Sequence, residues 1–200
     1  MKENSIALNK KTVVKWKKSK LSVSWGKVSG ADGYDIFAAQ CVRKMDMKSP
    51  CATVEGGKTS AIISSIGREK LSRKGTYKVK VKAYIWINGQ KFYIGDGQTN
   101  HVTGKSNKTY TNAKTVKVSP KSVFMKKGKT SQIKATIAKE SKKKKLLSKG
   151  HGPSLRYYST NTKIATVTSK GKIKTKAKGT CYIYVTALNG VNARVKVTVK

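Results

Sequence analysis

The sequence predicts an all-β chain of two tandem β-sandwiches, and three observations carry that prediction. Apolar residues recur at a period of two over most of the chain, as they do in half-buried antiparallel strands. Two Asn-Gly pairs, Asn88-Gly89 and Asn189-Gly190, lie between such runs and read as tight hairpin turns. A length of 200 residues allows two domains of about 100 each. The 37 % apolar fraction is still enough to fill small sandwich cores.

In chain order, Lys20–Trp25 alternates Leu21, Val23 and Trp25 against Ser22 and Ser24. Gly33–Ala39 and Thr59–Ile66 are further strand runs. Thr76–Ile87 sets Tyr77, Val79, Val81 and Ala83 against Lys78, Lys80 and Lys82, and the Asn-Gly turn pairs it with Gln90–Ile94. Thr103–Asn112 is polar, lacks large aliphatic residues and reads as the boundary, giving domains over residues 1–104 and 105–200. Short strands around Val116–Val118 and Val123–Met125 flank Pro120. Ser131–Ala138 reads as one alternating strand. Leu155–Tyr158, Ile164–Val167, Gly171–Thr175, Cys181–Ala187 and Ala193–Val199 complete the second set. No amphipathic helix is expected. The best local candidate, Arg68–Arg73, is a single turn long. No apolar run approaches the ~20 residues of a membrane-spanning helix.

The charge is extreme and one-sided. Lys and Arg number 45 against 8 Asp and Glu, for a formal net charge of +37. Only five are arginines: Arg43, Arg68, Arg73, Arg156 and Arg194. Arginine provides planar, bidentate recognition, whereas lysine is a mobile point charge on a flexible stem. The balance argues for diffuse, salt-sensitive attraction to polyanions over base-specific readout. A solvated surface that blunts sheet edges is the plainer reading of the same lysines. The densest cluster is Lys142-Lys143-Lys144-Lys145, with Lys139 and Lys149 close by, and it reads as a loop able to neutralise a polymer's acidic groups. Lys170, Lys172, Lys174, Lys176 and Lys178 have the period of one strand face and could extend it. Tyr157, Tyr158, Tyr182 and Tyr184 lie in strands, where packing is expected before ligand stacking.

Little in the chain suggests catalysis. Residues 106–200 hold one carboxylate, Glu140, so a paired-carboxylate site cannot lie there alone. His101, at a strand end, and His151, in a Gly-rich stretch, read as rim or loop residues. Asp32 and Asp35 flank a turn and lack the dense acidic loop of a calcium site. No Cys/His spacing fits zinc. Cys41 and Cys51 bracket Val42–Pro50, a loop between adjacent strands, and are expected to form a disulfide. Two separate thiols are the alternative. Cys181 reads as a buried free thiol.

Trp25, the Val28-Ser29-Gly30-Ala31-Asp32-Gly33-Tyr34 segment and Tyr77–Tyr84 resemble a bacterial fibronectin type III domain over roughly Thr12–Val102. Val116–Pro120, Gly128-Lys129-Thr130, Ser159-Thr160-Asn161, Ile164–Val167, Gly171-Lys172-Ile173, Gly179-Thr180 and Val195–Val199 resemble a bacterial Ig-like domain of group 2 over about Ala113–Lys200. Two departures from that pattern are the insertion-like Lys139–Pro153 and Tyr158. The resemblances imply two Ig-like sandwiches of the kind found in tandem on secreted and surface proteins of Gram-positive bacteria. They imply a non-catalytic role in adhesion, spacing or presentation, without cofactor or metal. The expected partners of the lysines are anionic glycans or cell-wall polymers. Alternatives are a nucleic-acid-binding protein and an accessory module of a larger extracellular glycan hydrolase. A monomer at the cell wall or in the secreted fraction is expected. MKENSIALNK lacks a signal peptide's apolar core, so that location assumes a leader absent from this chain.

Overall fold

The computed structural model describes residues 2–147 and 150–200. It is almost wholly β, and it folds as two sandwiches with separate apolar cores. The first half runs α1 (Lys2–Lys11), β1 (Val13–Lys17), β2 (Lys20–Ser24), β3 (Gly33–Gln40), β4 (Ala52–Glu55), β5 (Ser60–Ile63), β6 (Ser65–Ile66), β7 (Glu69–Lys70), β8 (Thr76–Ile87), β9 (Gln90–Asp96) and β10 (Asn100–Thr103). One sheet has the order β1-β2-β5. The other has the order β10-β8-β3-β4, with β9 also paired to β8. β9 and β10 lie along the same edge of β8, as one strand interrupted after Asp96.

The inward positions of the period-two pattern meet between these sheets. Trp16, Leu21, Val23 and Trp25 face Tyr34, Ile36, Tyr77, Val79 and Val81. Trp25 is buried and packs on the Tyr34 ring at 5.3 Å between centroids. The Tyr34 hydroxyl in turn accepts from the Val28 N–H at 2.8 Å. Tyr77 forms a tyrosine corner: its hydroxyl accepts from the Ser72 N–H at 2.7 Å and donates to the Ser72 carbonyl, closing the approach to β8. The hairpin at Asn88-Gly89 forms as expected, with both residues at positive φ and Ile87 paired to Gln90.

The second half runs β11 (Tyr110–Thr111), β12 (Ala113–Ser119), β13 (Ser122–Met125), β14 (Thr130–Gln132), β15 (Lys134–Lys139), β16 (Lys145–Leu146), β17 (Leu155–Ser159), β18 (Ala165–Val167), β19 (Lys172–Thr175), β20 (Gly179–Ala187) and β21 (Asn192–Val199). A four-stranded sheet, β13-β21-β20-β17, contributes Ile183, Val185, Val195 and Val197 to the core. Residues of β14-β19-β18 and β12-β15 pack into the same cluster, with Val116, Ala165 and Ile173 at its centre. β13 runs parallel to β21.

The structure adds to or departs from the sequence reading at three places. Residues 2–11 are helical, although Ile6-Ala7-Leu8 is their one apolar run and no helical stripe repeats it. Tertiary contacts hold the helix: Leu8 is fully buried in the first core, Asn4 donates to the Ile94 carbonyl, and Asn9 accepts from the Gln98 N–H. Arg68–Arg73, the one-turn helix candidate, instead contains β7, half of a small hairpin with β6. Ser131–Ala138 is two strands. Ile133 is buried between them and its N–H donates to the Gly171 carbonyl, so β14 pairs with β19 while β15 pairs with β12.

The expected Cys41–Cys51 disulfide is absent from this fold, and register explains why. Cys51 lies alongside Ile36–Ala38, with its N–H on the Ile36 carbonyl and its Sγ on the Ala38 carbonyl. Cys41 lies three residues past Ala38, about 10 Å along an extended chain and beyond disulfide reach. Its N–H donates to Thr76 on the β8 side. Cys181 is a buried free thiol, as expected.

Candidate functional site: the lysine-rich stretch and the domain junction

The lysine-rich stretch is anchored through its backbone. After β15, the Glu140 N–H donates to the Asn112 carbonyl and the Ser141 N–H to the Thr111 hydroxyl. The Lys145 N–H donates to the Thr109 carbonyl, and β16 pairs in parallel with β11. Two ammonium groups are used internally. Lys139 Nζ donates to the Lys144 carbonyl at 2.7 Å, and Lys144 Nζ to the Asn107 carbonyl at 2.6 Å. Lys142, Lys143 and Lys145 are exposed. Lys149 lies outside the described residues. Between this stretch and the linker is a groove lined by Lys105, Tyr110, Asn112, Glu140 and Lys144. Its lining mixes polar and apolar surface, and the Tyr110 ring is partly exposed in its wall.

The second lysine series is the wet side of β19 and the turns around it. Lys170, Lys172, Lys174, Lys176 and Lys178 are all exposed, while Gly171, Ile173 and Thr175 alternate inward. Of the four tyrosines, Tyr158 and Tyr184 stack on each other at 5.6 Å, and Tyr157 packs on the core. Tyr182 lies under the Arg194 guanidinium. Packing accounts for these four rings.

The junction between the sandwiches is built from the β20–β21 turn. Its Asn189 carbonyl accepts from the Val14 N–H at 2.9 Å, and its Leu188 carbonyl accepts from the His101 N–H at 2.8 Å. Backbone acceptors of the second domain thus reach β1 and β10 of the first. Gly190 adopts a φ of 88° against Thr12, and a Cβ there would overlap the Thr12 carbonyl oxygen. The linker closes on itself through Asn112, whose side chain accepts from the Thr103 N–H and donates to the Thr103 carbonyl. Arg156, from β17, reaches across to the Thr99 carbonyl and the Asn100 side chain at 2.7 Å each, and also to the Ala187 carbonyl. Burial lowers its pKa to about 10, and the ring of acceptors holds the guanidinium.

Cys41, His101 and His151 meet at the same junction, their donor atoms all within 4.8 Å of one another. Burial is the main cause that lowers His101 to about 4, with the charges of His151, Arg156 and Lys78 adding to it. It is therefore a neutral imidazole at pH 7. Both histidines read from sequence as rim or loop residues, and no local spacing connects them to Cys41.

The first domain has a polar cluster that sequence reasoning also missed. Asp35, read with Asp32 as flanking a turn, is buried in β3. It accepts from Lys91 at 3.0 Å, Tyr93 at 2.7 Å and Thr53 at 2.7 Å. Burial and the neighbouring carboxylate raise the Tyr93 pKa. Lys91 also covers the Tyr84 and Trp86 rings. The strand register puts Tyr84 opposite Tyr93 and Trp86 opposite Lys91. Asp35 could have been paired only by knowing that register.

Residues 112–199 match the family model of the bacterial Ig-like domain (group 2). No curated protein matches the chain. Among solved structures, the S-layer protein rSbsC(31-844) is 19 % identical, with a TM-score of 0.36 over 90 % of this chain and 22 % of that one. Domains 4 and 5 of the S-layer protein SbsC are also 19 % identical, with a TM-score of 0.35 over 92 % of this chain and 84 % of that one. The FN1–FN3 domains of chicken CNTN1 are 12 % identical, with a TM-score of 0.33 over 94 % and 64 %.

Proposed function

We propose that this chain is a non-catalytic module of a bacterial surface protein. Its two sandwiches act as a braced spacer, and its lysines hold it against anionic wall polymers or glycans. The group 2 Ig-like domain and the all-β architecture support a surface module. A fibronectin type III kinship for the first half is supported by the Tyr77 corner and by buried Trp25 beside Tyr34.

One observation carries the polyanion reading. Residues 106–200 hold 24 basic side chains and one carboxylate, Glu140. That carboxylate accepts from the Asn112 amide. Among the described residues, every ion pair lies in the first domain. The described lysines of the second domain therefore have no carboxylate paired to them and condense external ions. A polymer that displaces those ions gains the entropy of their release. Lys142, Lys143 and Lys145 stand on an anchored backbone beside the Tyr110 groove, so little ordering is needed to present them.

Retention of a polyglycerol phosphate, a sulfated glycan and duplex DNA, each measured across salt, tests this reading. The wild-type chain should bind the wall-type polymer or the glycan, with affinity falling steeply between about 0.05 and 0.2 M salt. The triple variant Lys142→Ser/Lys143→Ser/Lys145→Ser should bind more weakly with a shallower slope. An unchanged slope would remove this stretch as the contact. DNA binding far tighter than either polymer would overturn the surface assignment.

A further inference from the structure

We infer that Cys41, His101 and His151 form a transition-metal site that bridges the two domains and sets their relative orientation. The inference is independent of the polyanion reading. The chain has two histidines and three cysteines. Both histidines and one cysteine meet at one point, from three segments far apart in sequence. Cys41 and His101 belong to the first sandwich, and His151 to the approach to β17 in the second.

The geometry suits a tetrahedral ion. Cys41 Sγ lies 3.5 Å from His101 Nδ1. Metal–sulfur and metal–nitrogen bonds of about 2.3 and 2.05 Å at a tetrahedral angle predict an S···N edge of about 3.5 Å. The remaining ligand atoms lie within 4.8 Å. His151, flanked by Gly150 and Gly152, needs only a small side-chain movement to close the set. The two imidazoles are already in contact, at 5.2 Å between centroids.

The chemistry agrees. His101 and Cys41 are held from the backbone, by His101 N–H to Leu188 and Cys41 N–H to Thr76, so two ligands are positioned before metal arrives. Burial raises the Cys41 thiol, while a hydrogen bond with Thr76 and the charge of Lys78 oppose that shift. A coordinated thiol gives up its proton to solvent. One thiolate and two imidazoles favour zinc, cobalt or copper over calcium or magnesium, which take oxygen ligands. Three protein ligands leave the fourth position to water. Because the ligands come from both domains, the ion would bind the docked arrangement in preference to an undocked one and stabilise it by linkage.

The test is a cobalt titration of the full chain under a phosphine reductant. One equivalent should produce a thiolate-to-cobalt charge-transfer band and the strong visible bands of four-coordinate cobalt. Zinc should displace it. Cys41→Ser and His151→Ala should each abolish the charge-transfer band, while Cys51→Ser should retain it. Zinc at 100 times its Kd should raise the melting midpoint by about 5–10 °C relative to chelator. That rise should vanish in His151→Ala. If Cys41→Ser fails to fold, His151→Ala carries the same test, since its change lies in a loop. Absence of the band in wild type at about 1 mM cobalt, or its persistence in both ligand variants, would overturn the site.

Discussion

The two sandwiches handle charge in opposite ways. The first carries 21 basic and 7 acidic side chains over residues 1–105, and uses its carboxylates. Asp35 is buried among Lys91, Tyr93 and Thr53. Asp96 pairs with Lys80, and Glu69 with Arg43. Asp32 accepts from the Trp86 N–H, tying the β8–β9 hairpin to the start of β3. The second sandwich is held by its apolar core and backbone ladders, with most of its lysines left outside. The same lysine-rich composition thus supports two designs. In one, acids organise a sheet face. In the other, no ion pair forms among the described residues, and the few cations used internally meet carbonyls, an amide or a ring.

The largest test of that contrast is Asp35→Ala. It leaves the Lys91 ammonium, the Tyr93 hydroxyl and the Thr53 hydroxyl without their shared acceptor. Breaking a buried ionic cluster on one side costs about 3 kcal/mol. Lys91 is partly exposed, which places the expected cost at about 2–3 kcal/mol. All three tryptophans, Trp16, Trp25 and Trp86, lie in the first domain. Tryptophan fluorescence should therefore show an early transition while circular dichroism retains the second domain's share. A loss shared equally by both probes would mean the domains unfold as one unit.

Tyr77→Phe probes the same domain more gently. Removing the corner hydroxyl leaves the Ser72 N–H without that acceptor, at about 1–2 kcal/mol. Again the fluorescence midpoint should move. An unchanged midpoint would show that water replaces the hydroxyl.

Why the strands were legible and the sites were not follows from where each kind of information resides. Thr76–Ile87 alternates in its own sequence, and Asn88-Gly89 names its turn, so β8 and β9 could be read locally. Residues 2–11 could not: their one deep contact, Leu8, depends on a sheet edge some ninety residues away. Ser131–Ala138 alternates without a break, yet switches sheets at Ile133, because pairing partners choose the sheet. Of the site residues, the lysine run was visible as composition. Its anchoring was not, since it depends on carbonyls at Asn107, Thr109 and Asn112. Arg156 and the Cys41–His101–His151 cluster exist only after two domains dock.

Salt should separate the domains further. Screening relieves repulsion in a body with one carboxylate among 24 basic groups more than in one whose charges are partly paired. Raising ionic strength from about 0.05 to 0.5 M should stabilise the second domain relative to the first by about 1 kcal/mol or less. Denaturant midpoints for the two probes at several salt concentrations check the direction. A larger gain in the first domain would reverse the contrast.

The smallest effects lie within the lysine stretch itself. Lys144 donates to the Asn107 carbonyl from a half-buried position, and Lys139 to the Lys144 carbonyl. The first bond holds the linker to the second domain, and the second ties the stretch back to β15. Lys144→Met keeps the stem's apolar packing but removes the ammonium, and should cost about 1 kcal/mol. Lys142, Lys143 and Lys145 are exposed and sit among like charges. Their replacement by serine loses little packing and relieves repulsion, so stability should stay within about 0.5 kcal/mol of wild type. Circular dichroism melts of the two variants side by side distinguish a tethering lysine from a presenting one. Equal destabilisation would mean that all four act as structural ties, and the binding assay on the triple variant would then be reading a change in fold.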